Sequence, residues 1–252
     1  MHPGLLGQRL HPGADKGVIT VHDLSVFKFP EMHPAERVRQ FERDFSRSVA
    51  QSVHVITDSQ TTRAEVMAFT GLNASRVTAV PLGVSAAYAP RPADEIAAQL
   101  RKYSLRPGAY ALCVSTLEPR KKIEQLLSAW EYLPAALQRE FPLMLVGSSG
   151  WLNEAVQAKL HRGAVQGWVR YLGYVPESDL PALYAGAAVF VYPSTYEGFG
   201  LPPVEAMACG VPVVVSGHSC LPEVTQGAAL LVEPDDVPAF AAALEKSLRD
   251  CY

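Results

Sequence analysis

Short apolar runs alternate with segments of helical period along the second half of the chain. After the apolar run 110–115, the residues Ile123, Leu126 and Trp130 recur at helical spacing and predict an amphipathic helix. The runs themselves predict buried strands over residues 110–115, 142–146, 169–172, 188–192, 212–215 and 229–232. Strands that alternate with helices in this way indicate a parallel, doubly wound α/β sheet, whose ligands bind beyond the carboxyl ends of the strands.

The first third of the chain repeats this pattern with fewer strands. Its apolar runs and helical spacings predict strands at 18–21, 54–57 and 76–80 and helices at 34–50 and 62–69. Residues 85–95 contain two prolines and no periodicity, so we assign them to a linker. The chain is therefore expected to form an N-terminal unit over residues 1–84 and a C-terminal unit over residues 96–252.

The stretch after the strand 188–192 contains several groups that could bind a ligand. A glycine-rich loop, Glu197–Gly200, precedes a helix that is predicted from Pro203 to Cys209. Backbone N–H groups and a helix N-terminus at the end of a strand suit an anion, above all a phosphate. Glu197 and Glu205 stand eight positions apart, and ionised carboxylates accept hydrogen bonds from hydroxyl groups. A phosphate with hydroxyl groups describes a sugar nucleotide.

A second turn between a strand and a helix is basic. Arg120 and Lys121, followed by Lys122, come after the strand 110–115, at the sheet edge that also carries the glycine-rich loop. Cations at a helix N-terminus oppose the helix dipole, but with backbone N–H groups they would stabilise a diphosphate leaving group. The alternatives are structural: a solvated basic helix start here, a tight turn for the glycines, and a helix-dipole contact for Glu205.

Single polar residues follow two strands of the first unit. His22 ends the strand 18–21, and both a structural role and a contact with a sugar stay open for it. Asp58 and Ser59 precede a helix and are interpreted as its cap, with a ligand contact as the alternative. The remaining histidines show no metal-ligand spacing and are assigned no site: His2, His11, His33, His54, His161 and His218.

Composition narrows the class of protein. The net charge of −3 and the 19% of charged residues give no indication of a nucleic-acid partner. Four cysteines without CxxC spacing are expected to be reduced thiols of a cytosolic protein. No apolar run approaches the roughly 20 residues of a membrane span, and the N-terminus lacks the apolar core of a signal peptide. The absence of GxGxxG and P-loop motifs weighs against nicotinamide dehydrogenases and P-loop ATPases.

Taken together, these motifs resemble the retaining glycosyltransferases of family 4. The segment EGFGLPPVE, from Glu197 to Glu205, matches the Glu–x7–Glu signature of that family, and VSTLEPRKK, residues 114–122, resembles its diphosphate-binding turn. Residues 19–30, 56–63 and 77–84 resemble segments of its N-terminal domain. The resemblance implies a GT-B fold of two Rossmann-like domains that face each other across a cleft. Within it, the nearest members are mannosyltransferase-like enzymes of bacterial polysaccharide or lipopolysaccharide synthesis.

The resemblance also implies a role for each matching residue. His22 would lie beside the reacting sugar, and Glu197 would contact its hydroxyl groups, so both are assigned to catalysis. The donor-binding set would be Arg120 and Lys121 on the diphosphate, Glu205 on the ribose, and the backbone of Phe199, Gly200 and Leu201. Transfer would proceed with retention, by front-face attack, from a nucleotide-diphosphate sugar such as GDP-mannose to a carbohydrate or lipid-linked acceptor. No metal and no cofactor beyond the donor substrate would be required.

The sequence departs from this family pattern in three respects. Lys122 stands where relatives typically carry Asn, and Ser115 and Thr116 stand where an Arg is often found. Compared with the family, the chain is expected to be truncated at both ends, and residues 1–84 to be a partial acceptor-side domain. Two alternatives therefore stay open, namely a catalytically incomplete nucleotide-sugar-binding fragment and a nucleotide-sugar epimerase of the same architecture. We expect a cytoplasmic protein, peripheral on the inner membrane, with a dimer through an exposed apolar edge of the partial unit.

Overall fold

The computed structural model describes residues 17–150 and 154–250, and contacts divide the chain into two compact units. The first unit comprises the chain up to Gly83 together with Tyr196–Gly200, and the second comprises Val84–Thr195 and the chain from Leu201 onward. The segment 85–95, predicted as a linker, falls in the second unit, where Tyr88 packs against the core.

The first unit is built on a parallel three-stranded sheet of order β1-β2-β3. Its helices pack their apolar faces on this sheet, and Phe41, Phe45 and Val66 are buried there with Ile19 and Val55. The predicted strands and longer helices are confirmed to within about two residues, and the short helix α1 was not predicted. The elements are β1 (Gly17–Val21), α1 (Ser25–Lys28), α2 (Ala35–Gln51), β2 (Ser52–Thr57), α3 (Gln60–Thr70) and β3 (Val77–Ala79).

The second unit is a six-stranded sheet between layers of helices. Its elements are α4 (Ala93–Arg101), β4 (Ala111–Val114), α5 (Ile123–Tyr132), α6 (Ala135–Glu140), β5 (Leu143–Val146), α7 (Glu154–Gln166), β6 (Val169–Gly173), α8 (Leu180–Ala185), β7 (Val189–Tyr192), α9 (Leu201–Ala208), β8 (Val213–Ser216), α10 (Leu221–Thr225), β9 (Leu230–Val232) and α11 (Val237–Arg249). The strand pairings are parallel. The doubly wound α/β arrangement predicted from the alternating pattern is therefore confirmed.

The order of the strands locates the crevice of this sheet. The order is β6-β5-β4-β7-β8-β9, so the chain winds outward in one direction from β4 and in the opposite direction from β7. In open parallel sheets, ligands bind at such a reversal, beyond the carboxyl ends of the two central strands. Both turns that the sequence analysis singled out begin at these two strands.

Two apolar cores, one on each face, hold the second unit together. One contains Leu126, Trp130 and Phe240, and the other contains Ile96, Tyr110 and Phe190, each essentially inaccessible to solvent. Continuous burial along β5 and β7 explains why these strands read as unbroken apolar runs rather than as an alternating pattern. None of the helices among the described residues is long and apolar enough to cross a membrane.

Candidate active site

The basic turn after β4 is a 3₁₀ turn, Pro119–Lys121, at the reversal of the strand order. Lys121 is 7% exposed, and its Nζ donates a hydrogen bond of 2.9 Å to the Tyr192 hydroxyl at the end of β7. Arg120 forms a 2.8 Å ion pair with Glu118. A buried ammonium does not fit the interpretation of this turn as a solvated helix start, because burying a charge costs free energy unless the charge is paired and hydrogen-bonded.

The loop after β7 is fastened to the same turn. The carbonyl oxygen of Arg120 accepts hydrogen bonds from the backbone N–H of Thr195 at 2.9 Å and from its hydroxyl at 3.1 Å. The two strand ends that were predicted to share one edge of the sheet are therefore in direct contact. The arrangement places two cations, Arg120 and Lys121, at the crevice of the second unit.

Lys122 stands where relatives typically carry Asn, and the turn tolerates this replacement. Its backbone is left-handed, with φ 51° and ψ 36°, and asparagine tolerates that region better than other side chains that carry a Cβ. The Lys122 Nζ pairs with Asp235 at 2.8 Å. Lys122 is therefore a surface ion-pair partner of the turn.

Glu205 lies in the second turn of α9, which begins at Leu201 and so starts two residues before the predicted Pro203. The hydroxyl groups of Tyr88 and Tyr184 face its carboxyl group. Burial raises the pKa of Glu205 above its usual value, and the two hydroxyls oppose this shift. The carboxylate is thus partly withdrawn from water, and the described groups that shift its pKa are the two tyrosine hydroxyls and the like-charged Glu177. Such a group gains from hydroxyl donors that a ligand would bring.

His22 belongs to the first unit, where it follows β1. Its Nδ1 lies 2.7 Å from Oδ2 of Asp58, the residue that follows β2. The hydrogen bond to Asp58 raises the pKa of His22, and burial opposes it. Asp58 is therefore more than the helix cap that the sequence suggested: Ser59 caps α3, and Asp58 pairs with the histidine.

The segment Tyr196–Gly200 packs with the first unit although it follows β7 in sequence. The carbonyl oxygen of Gly198 accepts hydrogen bonds from the hydroxyls of Ser59 at 2.7 Å and Thr62 at 3.1 Å. A Cβ on Gly198 would lie 1.8 Å from the carbonyl oxygen of His22, so only glycine permits this approach. The contact brings the residue after Glu197 against the backbone of His22.

Tyr196 anchors the start of this segment, a role that the sequence analysis did not foresee. Its hydroxyl accepts a hydrogen bond from the Leu24 N–H at 3.0 Å and donates one to Glu65 at 2.7 Å. Lys28 pairs with Glu65 and lies over the Tyr196 ring, 4.8 Å from its centroid. A tyrosine in a polar turn is the only sequence signal, and it does not identify the partners.

The predicted site residues thus fall into two groups. His22, Glu197, Phe199 and Gly200 belong to the first unit, where Phe199 is buried, Glu197 is half-buried and Gly200 has φ 89°. Arg120, Lys121, Leu201 and Glu205 belong to the second. Within the described part of the chain, no group of three or more His, Cys, Asp or Glu could hold a metal ion. Cys113, Cys209 and Cys220 are buried free cysteines, while Cys251, His2 and His11 lie outside the described residues.

Comparison with known proteins identifies the family of the chain. Residues 96–251 match the family described as glycosyl transferases group 1. The chain is 44% identical to the O-antigen chain mannosyltransferase B of Escherichia coli over 94% of its own length and 62% of that protein. It is 27% identical to the O-antigen chain mannosyltransferase RfbU of Salmonella typhimurium over 90% of its length and 59% of the relative. The chain therefore spans about three fifths of these relatives.

Solved structures agree on the fold. HepE of Anabaena, solved with UDP and glucose, has a TM-score of 0.73 at 22% identity over 93% of this chain and 61% of its own. WaaG, a glycosyltransferase involved in lipopolysaccharide biosynthesis, also has a TM-score of 0.73, at 16% identity over 94% of this chain and 66% of its own. These likenesses, with the parallel sheets and alternating helices, confirm the GT-B fold class.

Proposed function

Because the chain belongs to the group 1 glycosyl transferases, we propose that it transfers mannose from GDP-mannose to a carbohydrate or lipid-linked acceptor in O-antigen synthesis. The observation that carries this proposal is the crevice of the second unit, where Arg120 and Lys121 lie at the strand-order reversal and α9 carries Glu205. The choice of mannose is supported by relatives that are named mannosyltransferases.

The resemblance to the family implies a role for each residue, and the chemistry of the side chains agrees with it. Arg120 and Lys121 stabilise the negative charge that develops on the departing diphosphate. The backbone at Phe199, Gly200 and Leu201 adds N–H donors and the N-terminal end of α9. Glu205 accepts hydrogen bonds from the ribose hydroxyls, and Glu197 accepts them from the transferred sugar. His22 lies beside that sugar.

Transfer proceeds with retention of the anomeric configuration. In a front-face reaction, the acceptor hydroxyl attacks from the side on which the diphosphate departs, and a diphosphate oxygen takes up the hydroxyl proton. The bond between the anomeric carbon and the phosphate oxygen breaks as the new glycosidic bond forms. The two cations and the helix N-terminus supply the positive charge for this step, so we propose that it needs no metal.

The test combines binding with transfer. Calorimetry with GDP-mannose, GDP and UDP-glucose should show the tightest binding for the guanosine ligands, and mass spectrometry should detect mannose added to an O-antigen acceptor. NMR of the product should show an α-mannoside, since GDP-mannose is itself α-linked. Glu197→Gln should abolish transfer, whereas Glu154→Gln, an exposed position at the start of α7, should not change it.

A second candidate function is supported by the location of the donor residues. Arg120, Lys121 and Glu205 all lie in the unit that the family match covers, so this unit could bind a nucleotide sugar without transferring it. Binding with no transfer to any O-antigen acceptor would favour this binding function. Conversion of the sugar nucleotide with no acceptor present would instead indicate an epimerase.

A further inference from the structure

We propose that Asp58 is a positioning residue that acts through His22. It holds the imidazole in the tautomer with the proton on Nδ1, so that Nε2 accepts a hydrogen bond from a hydroxyl group of the bound sugar. The role of Nε2 as acceptor for a sugar hydroxyl rests on the proposed function, whereas the hydrogen bond between Asp58 and His22 does not.

The sheet of the first unit dictates this pairing. Strands β1 and β2 are parallel neighbours, and Val21 lies opposite Thr57 in the register. The next residue on each strand is therefore brought to the same carboxyl edge, where His22 Nδ1 and Asp58 Oδ2 lie 2.7 Å apart. Two polar side chains that follow adjacent strands at this edge occupy the usual place for ligand contacts in parallel sheets.

The two partners differ sharply in exposure. The Asp58 side chain is 5% exposed, and the His22 side chain is 48% exposed. A carboxylate withdrawn from water needs hydrogen-bond donors, and the ring N–H of His22 is one. A histidine whose only task was to satisfy Asp58 would not need to keep half of its surface accessible.

The chemistry of an ionised carboxylate determines the tautomer. A carboxylate can only accept hydrogen bonds, so Nδ1 of the paired imidazole must carry the proton. In the neutral ring, Nε2 then has a lone pair and is an acceptor. The carboxylate also favours the protonated ring, which agrees with a pKa of His22 above its usual value.

Among the described residues, two carboxylates shift the pKa of His22. Asp58 raises its pKa through the hydrogen bond and its charge, and Asp23 adds a smaller effect of the same sign. Glu197 precedes Gly198, which packs on the His22 backbone. Asp23 is a natural control, because its carboxylate accepts a hydrogen bond from the Ser25 N–H at 2.7 Å instead of from the imidazole.

The tautomer can be tested without any activity assay. In ¹⁵N NMR spectra of the full chain above the His22 pKa, the wild type and Asp23→Asn should both show the Nδ1–H form. Asp58→Asn should show the Nε2–H form, because the asparagine amide can donate to Nδ1. It should also lower the His22 pKa more than Asp23→Asn does. An Nε2–H form in the wild type, or an unchanged tautomer in Asp58→Asn, would overturn the proposal.

A double-mutant cycle tests the functional step. Asp58→Asn and His22→Gln should each lower kcat/KM by about fivefold to hundredfold, the range for a hydrogen bond whose loss leaves its partner unsatisfied. If Asp58 acts through His22, the double variant should be no worse than His22→Gln alone. Additive losses, or a wild-type kcat/KM in folded Asp58→Asn, would refute the positioning role. A wild-type chain that shows the Nδ1–H form but no transfer would refute the proposed function instead.

Discussion

Single residues determine the geometry of the loop that carries Glu197. Gly198 can approach the backbone of His22 because it has no Cβ, and its carbonyl oxygen is held by two hydroxyls of the first unit. The glycine that the sequence analysis left open as a mere tight turn is a close-packing position in the structure.

Gly198→Ala should therefore destabilise the protein. The added Cβ would lie 1.8 Å from the His22 carbonyl oxygen, so the loop or the strand end must move, at a cost of about 1–3 kcal/mol in the free energy of unfolding. Gly83→Ala is the matched control, because a Cβ there meets nothing within 4 Å. Urea denaturation of both variants measures the difference, and equal midpoints would contradict the packing argument.

Glu205 is expected to reduce stability at neutral pH. Burial raises its pKa in the folded protein above the usual 4.5, so its contribution is most favourable below pH 4.5 and is lost as the pH rises through the folded-state pKa. Glu205→Gln should therefore raise the Tm at pH 7 by more than at pH 4, and weaken binding of GDP-mannose.

Glu154→Gln serves as the control for Glu205→Gln, since it removes an exposed carboxylate. Calorimetric melts at both pH values provide the measurement. A Tm of Glu205→Gln at pH 7 that is equal to or below that of the wild type would show that the carboxylate is stabilised by partners within the protein.

At the scale of elements, the predictions succeeded where burial was continuous and failed where short helices depended on distant contacts. Strands β5 and β7 could be predicted from the sequence because they are buried on both faces and therefore consist of unbroken apolar runs. Helix α4 has few apolar anchors, among them Ile96 and Leu100, and it begins directly after the proline-rich stretch. At α8, Asp179 occupies the cap position, but its carboxylate pairs with Lys102 and does not cap the helix.

The pairing of His22 with Asp58 was missed for a related reason. Each residue follows a predicted strand, but the sequence does not say which strands are neighbours or in what register they pair. That information comes from the sheet, where Val21 lies opposite Thr57. The basic turn and the glycine-rich loop were easier to predict, because their charges and glycines are local in the sequence.

The residue that caps helix α3, Ser59, also holds the loop that contains Gly198. Ser59 accepts a hydrogen bond from the Thr62 N–H at 3.0 Å as the helix cap, and its hydroxyl donates to Gly198. Ser59→Ala loses both, so it should cost about 1 kcal/mol more than the loss of a cap alone. Asp236→Ala, which removes only the cap of α11, is the comparison, and equal losses in urea denaturation would show that the Gly198 contact adds nothing.

At the scale of the whole molecule, the second unit contains a complete two-sided core and the basic turn. Residues 84–252 expressed alone should therefore unfold in one cooperative transition and bind GDP. Lys121→Met in the same fragment should keep the fold and weaken binding, because it removes the buried ammonium at the crevice. Scanning calorimetry and titration calorimetry measure the two properties, and a fragment without a cooperative transition would contradict the expectation.

The placement of Tyr196–Gly200 has a consequence for synthesis of the chain. The first unit receives this segment only after residues 84–195 have been translated. At typical elongation rates of about 5–20 residues per second, that delay is roughly 6–22 seconds. During this delay, the Ser59 and Thr62 hydroxyls and the His22 backbone lack the contacts that they make with Gly198. The nascent first unit therefore cannot reach its final form on the ribosome until Gly200 has emerged.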